Sequence, residues 1–263
     1  MIESIAIGSF DGVHIAHQEL IKRADGVVVI ERGFGTITPG WTRSLYTQKA
    51  TFFYMFDKVK SLTPKEFVAK LKSDFPALKR VVVGYDFVYG KDRSGTIDSL
   101  RADFDGEVEV VDEVKLNGIS VHSRVIRELL KSSKIEQANS MLGRHYKICG
   151  KVVKGQGLGA KELVATINLK VLQYSLPQGV FATKTVIDGR GYKSISFIGH
   201  RQSTDGNFAV ETHILSDFSD AVEEGYEVWI EFAGFIRENR KFNSLKELKE
   251  QILKDIDRAK GLL

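Results

Sequence analysis

Short apolar runs alternate with helical spacing of apolar residues through the first half of the chain. Ile5-Ala6-Ile7 precedes a helical pattern that continues through Leu20, and Val27 to Ile30 forms the next run. A further helix is predicted near Tyr46 to Lys60, ahead of the apolar run Val81 to Val83. Because short buried strands alternate here with helices, the pattern favours an α/β domain with a parallel sheet wrapped by helices.

The pattern changes after about Gly143, where β-rich runs follow one another closely. Glycine turns such as Asp188-Gly189 and Asp205-Gly206 separate them. The predicted strands are Tyr146 to Val153, Val180 to Ile187, Tyr192 to Ile198, Phe208 to Leu215 and Tyr226 to Phe235. Strands at this spacing predict a small antiparallel barrel or sandwich.

Two capping boxes mark the starts of helices. Thr63-Pro64-Lys65-Glu66 combines one with proline at the first helical position, which predicts a helix to about Lys72. Ser244 and Glu247 form the second, before a final helix that we expect to pack on the barrel. The apolar face of that helix consists of Leu245, Leu248, Ile252 and Ile256.

A chain of 263 residues is long enough for two domains of ordinary size. The change from alternating strands and helices to closely spaced strands puts the domain boundary between residues 140 and 146. We therefore predict domains at 1–143 and 144–263. With 43% hydrophobic and 27% charged residues, the composition is that of an ordinary globular protein.

The composition and charge of the chain argue against several classes of protein. The apolar runs fall short of the roughly 20 residues of a membrane span, and the first residues lack a signal-peptide pattern, so the cytoplasm is the default. Cys149 is the single cysteine, which excludes an intrachain disulfide. The net charge of +4 is scattered along the chain, and we therefore expect no nucleic-acid partner.

The stretch GSFDGVHIAH, from Gly8 to His17, follows the first apolar run and puts His14 and His17 three residues apart at a helix start. Glycines flank this turn, and the first βα crossover is where open α/β sheets bind ligands. Histidines at this spacing share a helical face and could donate hydrogen bonds to a phosphate. Two partly exposed histidines without a ligand remain the alternative.

The same stretch resembles the GNFDGVHxGH signature of the nucleotidyltransferase superfamily, and specifically the bacterial bifunctional riboflavin kinase/FAD synthetases. Three further motifs follow in the family's order: GYDFVYGKDRSG (Gly84 to Gly95), HSRVIREL (His122 to Leu129) and MLGRHYKICGKV (Met141 to Val152). The resemblance implies a Rossmann-like α/β nucleotidyltransferase domain, then a small antiparallel β-barrel riboflavin kinase domain with a C-terminal helix.

In that family the first domain transfers the AMP part of ATP onto FMN, which gives FAD and pyrophosphate. The resemblance implies that His14 and His17 contact the ATP phosphates and that Asp86 and Phe87 border the flavin. The other implied nucleotide contacts are Gly8, Ser9, Phe10, Asp11, Ser123 and Arg127. Ser9, Ala16, His122 and Arg124 depart from the family pattern, as does the loop Arg32 to Gly40.

KGQGLGAKELVATINL, from Lys154 to Leu169, resembles the family's riboflavin kinase loop. The resemblance implies that Thr166 and Asn168 hold Mg²⁺ and that Glu211, in FAVETHIL, takes the proton of the riboflavin 5′-hydroxyl. Strand alternation also puts Glu211 and His213 on one face. The implied phosphate and flavin contacts are Gly155, Gly157, Gly159, Arg237 and Glu238.

The kinase loop departs from the pattern at Ala160, Leu163 and Ala165. Two alternatives to the bifunctional enzyme therefore stay open: an FAD synthetase with a degenerate kinase domain, and a non-catalytic flavin or nucleotide binder. The sequence leaves the oligomeric state open.

Overall fold

The computed structural model describes residues 1–33, 36–155, 163–216, 218 and 222–263. The chain divides into two compact units, Met1–Val125 and Ile126–Leu263. Within the described ranges, no helix is long and apolar enough to span a membrane.

The first unit contains a parallel sheet of five strands among the described residues, in the order β3-β2-β1-β4-β5. The strands are β1 (Ser4–Gly8), β2 (Gly26–Glu31), β3 (Ala50–Met55), β4 (Arg80–Gly84) and β5 (Glu107–Val111). The helices are α1 (Ile15–Ile21), α2 (Ser44–Thr47), α3 (Phe56–Val59), α4 (Pro64–Asp74) and α5 (Ile97–Asp103), with 3₁₀ turns at Gly40–Arg43 and Lys91–Arg93. A short hairpin, β6 (Lys115–Leu116) and β7 (Ile119–Ser120), follows β5.

The central strands are buried because helices cover both sheet faces, as parallel sheets require. Val81, Val82 and Val83 of β4 are fully buried, with Val81 and Val83 in one apolar cluster and Val82 in the other. The predicted α/β architecture is confirmed. Thr63 and Glu66 form both bonds of the predicted capping box at the start of α4.

The helix predicted near Tyr46 to Lys60 is wrong. The segment contains the end of α2, strand β3 and helix α3. Gln48 adopts a left-handed conformation, with φ 51°, and α2 ends there. The β-branched and aromatic residues of β3 then pair in parallel with β2, from Ala50 opposite Gly26 to Met55 opposite Glu31.

The second unit is a closed antiparallel barrel of six described strands, in the order β10-β11-β12-β9-β8-β13. They are β8 (Tyr146–Val153), β9 (Ile167–Val171), β10 (Gly179–Ile187), β11 (Arg190–His200), β12 (Phe208–Ile214) and β13 (Glu227–Arg237). The predicted barrel is confirmed and the sandwich alternative is wrong. Strand β9 was not predicted, although Ile167, Leu169 and Val171 alternate as a strand should.

Five hydroxyl groups inside the barrel form a closed hydrogen-bonded ring, which we call the hydroxyl ring. Its bonds measure 2.8 to 3.0 Å, and all five residues are fully buried. Each hydroxyl has one hydrogen and takes part in two of the bonds, so the donors run in one direction around the ring. Its members are Thr183, Thr185, Ser194, Ser196 and Thr212.

The described residues contain three further helices: α6 (Ser123–Lys131), α7 (Ile135–Leu142) and α8 (Leu245–Leu262). Helix α7 bonds to the barrel, since Asn139 Nδ2 donates to the Phe232 carbonyl at 2.8 Å. Ile252, Ile256 and Ala259 of α8 pack against the apolar outer face of the barrel, as predicted. The contact boundary at 125/126 puts most of α6 and all of α7 with the barrel, while the domain boundary predicted at 143/144 stays a prediction.

Candidate active sites

The first unit contains a cavity of about 360 Å³ at the carboxyl ends of its strands, which we call the sheet-edge cavity. Ligands of open α/β sheets bind at this edge because the loops that follow the strands meet there. The residues predicted from the sequence that line it are Gly8, Ser9, Phe10, His14, His17, Asp86, Phe87 and Ser123.

The turn after β1 has an unusual main-chain conformation. Phe10 and Val13 adopt positive φ angles of 49° and 40°, a region in which residues other than glycine are uncommon. Both side chains are fully buried, so packing holds the turn in place. The Phe10 ring also meets the edge of His17, with 5.1 Å between ring centroids.

The two histidines stack face to face, with ring centroids 3.5 Å apart. His14 is the N-cap of α1, and its Nδ1 accepts a hydrogen bond from the His17 backbone N–H at 3.3 Å. An accepting Nδ1 carries no proton, so the neutral His14 ring has its N–H at Nε2. His14 therefore has a defined donor atom in the wall of the cavity.

The Asp11 carboxylate bonds to the main chain of the loop after β2. Its carboxylate accepts from the backbone N–H groups of Ile37 and Thr38, both at 3.0 Å, and of Thr36 at 3.3 Å. Ser123 Oγ donates to the Asp11 carbonyl at 2.6 Å. Asp11 thus braces the loop after β2 and the start of α6, while its predicted contact with nucleotide stays a prediction.

Tyr85 and His122 lie on the same wall as Asp86, with the Tyr85 hydroxyl 3.2 Å from His122 Nε2. Burial and the neighbouring Glu113 and Asp86 carboxylates raise the pKa of Tyr85. Sequence reasoning did not identify Tyr85, although it lies within the GYDF motif.

Arg127 is half-buried on α6, after the chain passes into the second unit, and its nucleotide contact stays a prediction.

The second unit contains a larger cavity of about 830 Å³, which we call the barrel cavity. The residues predicted from the sequence that line it are Gly155, Thr166, Asn168, Glu211 and Arg237. Gly157 and Gly159 lie outside the described residues. Glu238 is exposed, and its carbonyl accepts from Arg237 Nη1 at 3.0 Å.

Glu211 lies directly opposite Asn168 across the β12–β9 ladder. Both side chains bond to Arg201, whose Nε donates to Glu211 Oε1 at 2.8 Å and whose Nη2 donates to Asn168 Oδ1 at 3.1 Å. His213 Nδ1 donates to the Ala165 carbonyl at 2.7 Å, which ties the Thr166 segment to β12. Sequence reasoning missed Arg201, since no motif or spacing distinguishes it from other arginines.

Gly155 and Arg237 have clear structural reasons for their identity. A Cβ added at Gly155 would overlap Asn168 Nδ2, so glycine leaves the room that the Asn168 amide occupies. Arg237 Nε donates to the buried Asp255 of α8 at 2.8 Å, and its guanidinium lies over the Phe242 ring at 5.5 Å. Arg237 is therefore held in the wall of the barrel cavity.

Comparisons with known proteins agree with this arrangement. The FAD synthetase family model matches residues 45–125, and the riboflavin kinase model matches residues 142–263. A bifunctional riboflavin kinase/FMN adenylyltransferase of Pseudomonas fluorescens is 30% identical over 97% of this chain and 91% of that protein. Its counterpart in Bacillus subtilis is 29% identical over 97% of this chain and 90% of that protein.

A crystal structure described as a macrolide-efflux protein from Streptococcus pneumoniae shares the fold. It matches 98% of this chain and 94% of its own, with a TM-score of 0.86 and 26% identity. The two family models cover separate parts of the chain, and the curated relatives are covered almost from end to end. The chain belongs to the family of bifunctional riboflavin kinase/FMN adenylyltransferases.

Proposed function

We propose that the barrel cavity phosphorylates riboflavin to FMN and that the sheet-edge cavity adenylylates FMN to FAD, with ATP as co-substrate in both reactions. The observation that carries this assignment is the separation of the two family models. The riboflavin kinase match falls in the unit with the barrel cavity, and the FAD synthetase match falls in the unit with the sheet-edge cavity.

In the sheet-edge cavity, an oxygen of the FMN phosphate attacks the α-phosphorus of ATP. The bond between that phosphorus and the α,β-bridging oxygen breaks, and pyrophosphate leaves with the electron pair. The protein's task is to orient two anionic substrates and to stabilise the charge on the phosphates. We assign this task to His14 and His17, whose stacked rings line the cavity and whose Nε2 donor is defined at His14.

The remaining assignments in this cavity follow the motifs. Gly8, Ser9 and Phe10 border the nucleotide, together with Ser123, whose hydroxyl already bonds to the turn. Asp86 and Phe87 border the flavin. Asp11 supports the site through the loop at residues 36–38. We assign Asp11 and Arg127 to the nucleotide, as their motifs imply.

In the barrel cavity, the 5′-oxygen of riboflavin attacks the γ-phosphorus of ATP. The bond to the β,γ-bridging oxygen breaks, ADP leaves, and the hydroxyl proton passes to Glu211. Arg201 holds Glu211 through Oε1, and Oε2 accepts no hydrogen bond within the described residues. That second oxygen is the one we assign as proton acceptor. As the motifs imply, we assign Gly155, Gly157 and Gly159 to the phosphates and Arg237 and Glu238 to the flavin.

The residues assigned to Mg²⁺ fit its chemistry. Magnesium prefers oxygen ligands and is usually bound together with substrate phosphates rather than in an all-protein cage. Thr166 and Asn168 supply a hydroxyl and an amide oxygen at the barrel cavity, and no group of three or more metal-binding side chains occurs in the described ranges. When bound there, the ion would offset the charge of the ATP phosphates.

The barrel cavity brings together Glu211, Thr166 and Asn168, which argues against a degenerate kinase.

We extend the adenylyltransferase domain over residues 1–143 and the kinase domain over 144–263. We also place both reactions in the cytoplasm, which the single cysteine fits, because disulfides are rare there. The proposal includes no nucleic-acid partner, because the basic residues are scattered.

A chromatographic product assay tests the proposal. The full chain is incubated with ATP and Mg²⁺ and with either riboflavin or FMN. We expect FMN and FAD from riboflavin, and FAD from FMN. FAD from FMN alone would overturn the kinase assignment, and product from neither substrate would favour the binding-protein alternative.

A further inference from the structure

Arg201 joins three acceptors in the wall of the barrel cavity. It follows the last residue of β11, and its side chain is 17% exposed. Each of its three nitrogens donates to a different residue: Nε to Glu211 Oε1 at 2.8 Å, Nη1 to Asp205 Oδ2 at 3.0 Å and Nη2 to Asn168 Oδ1 at 3.1 Å. The guanidinium fork is therefore fully oriented in its own plane.

Asp205 anchors this guanidinium within the β11–β12 turn. Its carboxylate also accepts from the backbone N–H of Asn207 at 3.1 Å and from Asn207 Nδ2 at 2.7 Å. Although burial opposes the charged form, the bonds from Asn207 and the charge of Arg201 lower the pKa of Asp205. Asp205 thus stays a carboxylate, and it fixes one edge of the guanidinium while the other nitrogens reach β12 and β9.

The bond from Arg201 restricts the orientation of the Glu211 carboxylate. A free glutamate side chain on a strand rotates among several rotamers, whereas a carboxylate bonded through Oε1 to an anchored guanidinium is restricted to orientations that keep this bond. The Asn168 amide is oriented by the same side chain, with its oxygen toward Arg201. One residue therefore sets the relative positions of the proposed proton acceptor and of a proposed metal ligand.

We propose that Arg201 is a positioning residue of the kinase reaction, which holds the Glu211 carboxylate and the Asn168 amide in their reactive arrangement through a guanidinium anchored on Asp205. This inference rests on the proposed function, because Arg201 acts through Glu211. Its removal should lower turnover more than it lowers riboflavin binding, since misplacing a reactive group by about 1 Å costs up to about 10²-fold in rate.

The test compares Arg201→Met with Arg190→Met, a matched change at the exposed first residue of β11. Kinase kcat and KM are measured, riboflavin binding is followed by flavin fluorescence, and adenylyl transfer from FMN is the internal control. For Arg201→Met we expect kcat to fall about 10- to 100-fold, with riboflavin binding and FAD synthesis within about threefold of the control. Arg201→Lys, which keeps the charge without the fork, should restore part of the loss.

Kinase kinetics of Arg201→Met equal to those of Arg190→Met would overturn the inference. So would an equal fall in riboflavin binding and turnover, because that result indicates a structural role. If Arg201→Met does not fold, Asp205→Asn replaces it, and a kcat fall of about three- to tenfold with unchanged binding is expected, since only the anchor is weakened.

A Glu211→Gln variant separates the two hypotheses. Retained kinase activity in Glu211→Gln would overturn both the proposed general base and this inference. Loss of activity in Glu211→Gln with full activity in Arg201→Met would overturn the inference alone.

Discussion

The two cavities hold their polar groups by different physical means. In the sheet-edge cavity the main chain sets the positions, because Phe10 and Val13 are buried in left-handed conformations and His14 caps a helix. In the barrel cavity the side chains set the positions, because Arg201 bonds to residues from neighbouring strands of one ladder. The arrangement of the sheet-edge cavity therefore depends on how the turn after β1 folds. The arrangement of the barrel cavity depends on individual hydrogen bonds between side chains.

The cores of the two units also differ, because one is apolar and the other contains a group of polar side chains. The parallel sheet buries an almost unbroken set of valines and isoleucines, for example Val28 and Val82. The barrel encloses the hydroxyl ring, in which every donor is used. Buried polar groups stabilise a fold only when they are fully satisfied, so the barrel interior tolerates the loss of one bond poorly.

The largest expected effect is that of Glu211→Gln on the kinase. Loss of a positioned general base should lower kcat by roughly 10²–10⁴-fold. FAD synthesis from FMN should stay unchanged, because it uses the other cavity. The matched control is Glu227→Gln, at an exposed residue at the start of β13. Equal turnover in the two variants, measured with riboflavin and ATP, would mean that the barrel site does not depend on this side chain.

His14 allows the helix cap and the phosphate contact to be separated. His14→Ala should lower adenylyl transfer by about 10²-fold and destabilise the fold by about 1 kcal/mol. His14→Asn retains an acceptor for the His17 N–H, so stability should recover while activity does not. Denaturant unfolding and a pyrophosphate release assay measure the two effects. Recovery of activity in His14→Asn would limit the role of His14 to capping.

The hydroxyl ring can be broken at Thr185, which bonds to Ser194 and Thr212 at 2.8 Å. Thr185→Val should destabilise the barrel by roughly 2 kcal/mol, because two buried hydroxyls each lose a partner. Thr185→Ser keeps the bonds and is the control.

In the first unit the opposite change, Val28→Thr, should also destabilise the fold by roughly 2 kcal/mol, because it buries an unpaired hydroxyl. Hydrogen exchange in β10 and β2 peptides locates each effect, and protection unchanged in β10 would contradict the first expectation.

The smallest expected effect concerns Gly155. An added methyl group at Gly155→Ala displaces the Asn168 amide, and kinase kcat should fall by about tenfold. Gly261→Ala, where an added Cβ meets nothing within 4 Å, is the matched control. Kinase turnover of both variants checks the expectation, which equal rates would contradict.

The strand and helix patterns were predicted most reliably where one face is buried. Strand β8 has the predicted bounds, Tyr146–Val153, and the strongly patterned α8 packs as expected. The prediction failed between Tyr46 and Lys60, where aromatic residues fit both a helix and a strand. Parallel pairing with β2 decided in favour of a strand, and this partner is remote in sequence.

The sequence by itself determined the two-part architecture and most of the candidate residues, because hydrophobic periodicity and motif order are local properties of the chain. Only the tertiary structure decided that Asp11 braces the loop at residues 36–38 and that Arg201 joins Glu211 to Asn168. Asp11 and Thr38 are 27 positions apart, and Arg201 and Asn168 are 33 apart. Hydrogen bonds between such residues depend on strand register and loop packing, which no local pattern contains.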